Sequence, residues 1–512
     1  MLPDRPAGAA SDRHHRAVAD AACIGAIACA LRIPALFAER HFHPDDGTYG
    51  MSALAMRDGS RPFATVFSSQ GPLHLPLVWL GDAVTLRQTD SPRASSVAFG
   101  IATAVIAYLL GRRIGGRASG RAGGWFAGLA LAATGSSLWT SGPITADAPT
   151  VAFVLGALLV SFAYAAHPRP SLAAAIGGLA AAAVLCKPAV AVLGLLPTIW
   201  VVVRARRGRD LLVAAGVAVA VGLTVTVPFG PADVWDQAVR YQLESERERS
   251  IGQNAAKVVT TLWSRDLVLL GAFVITLATM LIRRARRGAR ARDHDGSDRG
   301  GRLDAGGLDR GPLATSVLAV WLLAMTAFLV TQPALWRNHL AHLVAPIALF
   351  VVAATSDAVA GRGAARRGSR AVVIVGLVAG AIVQASFLAS ILVPPPYGGA
   401  NRDAADALER LPESARVVSD EVGLVWRSEH RTPDDLVDMS IKQFQQGRID
   451  LERLTRVAER DDVCAFLVWS DRHLGAVAGL PMALERSGYT VVEHFDGARG
   501  ARRLWVKRDC AA

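Results

Sequence analysis

Apolar residues along this chain come in runs of about 15 to 22, separated by short polar stretches, rather than in the brief alternations of a soluble core. The runs predict bilayer-length helices at Ala17–Ala38, Ala94–Leu110, Gly124–Trp139, Ala148–Ala166, Leu172–Leu185, Ala189–Val203, Leu211–Val227, Leu262–Ile282, Leu313–Thr331, Leu340–Thr355 and Ala371–Val393. That is about eleven spans, the Leu172–Val203 pair being two short halves. The polar segment Glu39–Arg93 holds helical pieces too short to cross and is placed at the interface. After Pro394-Pro395-Pro396 the pattern changes. ARVVSDEVG, VCAFLVWS, YTVVEHF and RRLWVKR alternate as strands do, and ANRDAADALERL, DLERLTRVAER and MALERSG have helical spacing. The expected fold is therefore an α-helical polytopic membrane protein with a C-terminal soluble α/β domain. Its parts are an N-terminal tail 1–16, a transmembrane region 17–393 and a soluble domain 397–512.

Charge changes this picture only in where it sits. The formal net charge of +12 belongs largely to arginines clustered in short loops: RRIGGRASGR, RARRGR, RRARRGARAR and RGAARRGSR. Arginine-rich loops mark the cytoplasmic side of a membrane protein. One assignment fits every strong cluster: N-terminus inside, Glu39–Arg93 and everything after Pro394 outside. Nucleic acid is excluded as a partner because no aromatic-rich basic groove accompanies the arginines. The first run lacks a small-x-small cleavage site and reads as a retained span. The segment 283–311, rich in Arg, Asp and Gly, reads as a disordered cytoplasmic linker, and 361–370 as a shorter one. The five cysteines form no metal-ligand spacing, although Cys464 and Cys510 can pair in an oxidising space.

A charge near a bilayer centre costs about 2.5–3.5 kcal/mol on insertion scales, so its position carries information. Asp45, Asp46, Asp147, Lys187, Arg337, His339 and His342 are scattered along the chain, yet this topology puts all of them at the outer boundary. Each has an ordinary explanation. Asp45, Asp46 and Asp147 fit the first turns of helices, and Lys187 fits a headgroup anchor. His339 and His342 share one helix face, as packing residues or a metal pair. Tyr49, Trp79, Trp139, Trp263 and Trp336 fit an interfacial aromatic belt.

The order of these segments resembles the GT-C-type transferases: glycosyltransferase family 39, the protein O-mannosyltransferases and the aminoarabinose–lipid A transferases. HPDDGTYGMSALAMRDG followed by FSSQGPLHLPLVWLGDAV is similar to their first outer loop. The family's Asp-Glu-x-x-Tyr appears as Asp45-Asp46-Gly47-Thr48-Tyr49, and its Gly-Pro-Leu or Pro-Pro-Leu as Gly71-Pro72-Leu73 before Trp79. TADAPTVAF is similar to the second acidic site at Asp147, GLAAAAVLCKPAVAVLGLLP to the Lys-Pro segment, and RNHLAHLVAPIALFVVA to a late span. The resemblance implies transfer of a monosaccharide from a polyprenyl-phosphate donor to the hydroxyl of a glycan, lipid or protein, inverting with a carboxylate base. It implies Asp45 or Asp46 as the base, with Asp147 orienting the acceptor or assisting the base. Lys187, Arg337, His339 and His342 would lie at the donor phosphate, and Tyr49 and Gln70 at the substrate. The family's Glu is Asp46 here, which leaves the base unassigned between two carboxylates. No cofactor is implied, and a divalent metal is left open. A lipid-linked sugar transporter or flippase is the rival class, since half-helices around Lys187 suit it; no inverted repeat is present. A non-catalytic scaffold leaves the Asp-Asp loop without a purpose.

Overall fold

The computed structural model describes residues 8–205, 208–293, 311–360, 385, 387–496 and 502–510. Among them, six helices are long and apolar enough to cross a membrane: segments His14–Leu36, Ser91–Ile114, Asp147–Ala166, Gly208–Phe229, Leu267–Ala285 and Arg337–Ser356. Pro170–Cys186 and Thr315–Thr331 are shorter apolar helices beside them. The Gly208–Phe229 segment turns Leu212, Val219, Leu223 and Val227 outward, as a lipid-facing surface would. Most of the expected Ala371–Val393 span, the 361–370 loop and the bulk of the 283–311 linker lie outside the described residues.

Several boundaries differ from the sequence expectation. The Arg112–Arg121 stretch is not a loop: one helix runs to Ile114 and the next begins at Gly116, whose φ of 58° makes the turn. The expected Gly124–Trp139 span breaks at Thr134, and a short helix continues over Gly135–Ser141. Arg32, fully buried, satisfies the carbonyls of Leu131 and Ala132 freed by that break and also bonds Ser137 and Ser141. The expected Leu262–Ile282 span is two helices. An amphipathic piece, Ile251–Arg265, ends at Arg265-Asp266, and the apolar helix starts at Leu267 and runs on through Arg283 to Asp293. The half-helices around Lys187 are present, Pro170–Cys186 before it and Pro188–Gly194 after it.

The interfacial segment forms two helices, Pro44–Arg57 and His74–Val84, clamped by a bidentate Arg57–Asp82 pair at 2.6 and 2.9 Å. Beyond the membrane part lies a four-stranded sheet: β1 Arg416–Ser419, β2 Val463–Val468, β3 Tyr489–Phe495 and β4 Arg502–Lys507, in the order β1-β2-β4-β3. β1 and β2 are parallel, and β4 runs antiparallel to both its neighbours. The second half of ARVVSDEVG is not strand but enters the helix Val422–Arg427. Cys464 and Cys510 form a disulfide.

This sheet unit does not stand apart. Tyr49, Met51 and Leu54 from the first interfacial helix and Leu75 and Val78 from the second share one apolar core with Val422, Trp426 and the sheet residues. Gly47 and Gly50 make the contact possible: a Cβ on the first would strike the Gly423 backbone, and on the second the Trp426 ring. Arg427–Asp90 at 2.6 Å and Arg448–Asp236 at 2.8 Å fasten the edges. The interfacial helices are thus held between two bodies, and their N-terminal end is fixed over the membrane helices.

Candidate active site

The site begins where Pro44 starts the first interfacial helix. Asp45 and Asp46 occupy its first turn, where carboxylates suit the exposed N–H groups. Successive helical residues point about 100° apart, so the two side chains leave in different directions. Asp46 is completely buried and fully engaged. It takes Arg93 Nη2 at 2.8 Å and Nε at 3.3 Å, and the backbone N–H groups of Phe42 and Ile144 at 3.0 and 2.9 Å. Burial alone would raise its pKa, but the Arg93 guanidinium outweighs that and holds it below the usual carboxylate range. Arg93 in turn bonds the carbonyls of Ala35, Ala38 and Arg40. Asp46 therefore ties the first span, the interfacial helix and the Ile144 turn together, with no oxygen left for substrate.

Asp45 is the opposite case. It is half-buried, and its hydrogen-bond partner is Asn338 Nδ2 at 3.2 Å. The same amide donates to Asp147 Oδ2 at 3.3 Å. Asp147 begins its helix and is 1% exposed; its Oδ1 receives Lys187 Nζ and His342 Nε2, both at 2.7 Å. Lys187 stands in extended backbone at the break between the two half-helices, which frees its side chain to turn inward. Asp45, Asp147, Lys187 and His342, spread over the chain, thus meet through Asn338. Asn338 escaped the sequence reading because an uncharged amide in RNHL carries no electrostatic signal.

Arg337 lies beside this network rather than in it. It is exposed, next to Trp336, whose ring also receives Arg249 at 5.6 Å and Lys257 Nζ at 5.5 Å. Arg265, 5% exposed, stacks on Trp139 at 4.6 Å and on Phe387 at 4.7 Å, and its Nη1 has no hydrogen-bond partner. Among the described residues, no salt bridge neutralises Arg249, Lys257, Arg265 or Arg337. Burial first, then the charges of Arg249, Arg337 and Arg265, depress Lys257 to about 8. The sequence singled out only Arg337 of these four; Arg249 and Lys257 precede the expected Leu262–Ile282 span and Arg265 falls inside it.

Two aromatic expectations change. Tyr49 is no belt residue: it is 4% exposed, packs edge-on against His74 at 4.5 Å, and its hydroxyl meets Ser69 and Gln70. Trp139 packs against Phe42, His43 and Arg265. Trp79, Trp263 and Trp336 remain outward-facing. His339 and His342 do not combine with carboxylates into a cage: His342 is committed to Asp147, and no group of three or more His, Cys, Asp or Glu suited to a metal ion occurs among the described residues. An apolar crevice lined by Val151, Val154, Val190, Gly194, Trp321 and Met325 reaches His342 from within the membrane region.

Residues 69–235 match the sequence profile of the family described as dolichyl-phosphate-mannose-protein mannosyltransferase. No curated protein sequence matches the chain. Among solved structures, it is similar to ArnT from Cupriavidus metallidurans in the apo state, with 17% identity, a TM-score of 0.59 and coverage of 97% of this chain and 98% of that one. The same enzyme bound to undecaprenyl phosphate gives 14% identity, a TM-score of 0.58 and the same coverage. The apo oligosaccharyltransferase of Archaeoglobus fulgidus gives 14% identity and a TM-score of 0.50, covering 95% of this chain and 74% of that one. Residues 69–235 thus carry the profile of the mannosyltransferase family, and over nearly the whole chain the fold is shared with ArnT and with the archaeal oligosaccharyltransferase.

Proposed function

We propose that the chain transfers a monosaccharide from a polyprenyl-phosphate carrier to an acceptor hydroxyl at the extracytoplasmic face, with inversion and with Asp45 as the base. The observation that carries this is the contrast at the helix start: Asp46 is consumed by Arg93, whereas Asp45 is tethered by one hydrogen bond from the Asn338 amide beside Asp147 and Lys187. In the reaction, the acceptor oxygen attacks the anomeric carbon from the face opposite the phosphate. Asp45 takes the hydroxyl proton as that bond forms. The bond from carbon to phosphate oxygen breaks with its electron pair, and polyprenyl phosphate leaves carrying one more negative charge. A single displacement of this kind inverts the configuration.

The leaving group needs cations that become useful as charge develops. Lys187 is already partnered by Asp147, so its charge is largely spent within the site. Arg337, with Lys257, Arg249 and Arg265 around Trp336 and Trp139, supplies the uncommitted positive charge. The ArnT structure bound to undecaprenyl phosphate gives that carrier class a precedent in the same fold. The orientation rests on the arginines: Arg112 and Arg113 end the helix whose first residues adjoin Arg93, about 30 Å from the site. With that end cytoplasmic, the N-terminus is inside, and the site and the sheet unit are outside. Glycan, lipid and protein hydroxyls all fit the base.

The test is consumption of an undecaprenyl-phosphate-linked sugar by membranes carrying the full chain, with no ion gradient imposed. Transfer to an acceptor under those conditions supports the reading; sugar movement that occurs only with a gradient and leaves the donor intact points to a transporter instead.

A further inference from the structure

The sheet unit reaches into the active site. Its segment Asp438–Lys442 lies beside the start of the interfacial helix, and three of its side chains face inward. Asp438 is 6% exposed, accepts the Ser440 N–H at 3.0 Å and meets the Ser69 hydroxyl. Ser440 Oγ and Tyr241 OH are 2.7 Å apart. Lys442 Nζ donates to Gln242 Oε1 at 2.7 Å and stands 5.7 Å from the Tyr241 ring. The charges acting on Lys442 are Asp438, Glu248, Lys187 and Asp45, so its ammonium belongs to the same electrostatic neighbourhood as the base.

The make-up of this wall differs from that of the Trp336 cluster. Around Trp336 four cations outnumber the nearby carboxylates, Glu248 and Asp266, and none is in a salt bridge among the described residues, which suits a phosphate. Here a lysine, a carboxylate, a tyrosine, two serines and two glutamines, Gln70 and Gln242, alternate donors with acceptors and carry little net charge. An ammonium has three N–H donors, and Lys442 gives one to Gln242. Asp438, acceptor-only when ionised, is bonded by Ser440 and Ser69. A surface of mixed donors and acceptors recognises a polyhydroxylated ring, whose O–H groups both donate and accept. Gln242 is held between Lys442 and the Ser69 carbonyl, and Ser440 and Tyr241 hold each other, so the groups left to meet that demand are the spare ammonium hydrogens of Lys442 and the remaining lone pairs of Asp438, Ser440 and Tyr241.

We infer that Asp438, Ser440 and Lys442 of the sheet unit bind the hydroxyl groups of a sugar ring held next to Asp45, and so set which sugar the enzyme accepts. The inference rests on the transferase reading above. Such a ring belongs either to the donor or to a glycan acceptor, and the geometry favours the donor. Its anomeric carbon must lie between Asp45 and the phosphate cations, which leaves the rest of the ring against this wall.

The full chain in lipid nanodiscs, with no acceptor present, is titrated with bare undecaprenyl phosphate and with a panel of undecaprenyl-phosphate-linked sugars. The wild type is expected to bind one linked sugar more tightly than the bare carrier. Lys442→Ala and Asp438→Asn are expected to shrink that preference by about ten- to a hundredfold, the loss of hydrogen bonds to a charged group. Affinity for the bare carrier should stay unchanged, which also reports an intact fold. Lys442→Met keeps the aliphatic stem and asks the same question if the alanine variant does not fold. Preference retained in the variants overturns the inference, as does an equal loss for the bare carrier, which would make Lys442 a phosphate ligand. A rise confined to the acceptor KM in a turnover assay would move the ring to the acceptor and overturn the donor assignment. A wild type that binds no carrier at all removes the transferase reading itself.

Discussion

Two adjacent carboxylates in one helical turn, Asp45 and Asp46, have opposite fates. Asp46 is closed: four donors surround it, Arg93 answers its charge, and neither side chain of that pair has any exposure. Asp45 is open: only half-buried, held by a single side-chain amide, and set beside Asp147 and Lys187. The difference teaches that a charge's neighbours, more than its type or depth, separate scaffold from chemistry. A buried ion pair with every oxygen satisfied fixes geometry. A carboxylate with spare lone pairs and partial exposure is available to take a proton.

The sharpest way to break that contrast is to remove the closed member. Asp46→Ala leaves Arg93 buried without its partner and is expected to cost about 3–5 kcal/mol of stability, seen as a large drop in melting temperature and folded yield. Adding Arg93→Met should restore part of it. If the single variant melts like wild type, Asp46 is no anchor. The effect of Asn338→Ala is smaller and of another kind. Losing the link between Asp45 and Asp147 should lower kcat about ten- to a hundredfold while the melting temperature stays nearly constant, and a pure stability loss would show Asn338 to be packing only. The smallest effect concerns the cations. Lys257, depressed to about 8 by burial and by Arg249, Arg337 and Arg265, loses its charge as pH rises through that value. Affinity for a lipid phosphate should therefore decline above about pH 8, by less than tenfold, because three arginines remain charged. In Lys257→Arg the decline should vanish; an identical pH profile in the two proteins would remove Lys257 from the phosphate site.

Much of this arrangement is legible in the sequence where the signal is local. Runs such as Asp147–Ala166 announce themselves as helices because bilayer-length apolarity survives without tertiary help. The gathering of Asp45, Asp147, Lys187 and His342 is legible through the arginine alternation, which fixes the end of the bundle each occupies. What is not legible depends on partners far along the chain. Nothing local separates Asp45 from Asp46, since Arg93 makes the choice from across a fold. Leu262–Ile282 reads as one span because its apolar content is continuous to either side of Arg265-Asp266, and only the break assigns Arg265 to the cation cluster. The sheet unit reads as separate because Gly47 and Gly50, the residues that let Gly423 and Trp426 approach, carry no side-chain signal of their own. Asn338 and Lys442 stay silent for a related reason: neither is an unusual residue for its own segment.

The most direct measurement is a single-turnover assay on purified full chain, preloaded with an undecaprenyl-phosphate-linked radiolabelled sugar and mixed with acceptor, comparing Asp45→Asn with wild type. Asp45→Asn should bind the donor normally, melt within a few degrees of wild type, and release its sugar about 10²–10⁴-fold more slowly. Sugar release at the wild-type rate from Asp45→Asn would contradict the assignment of the open carboxylate as the base, and with it the division of labour between the two aspartates.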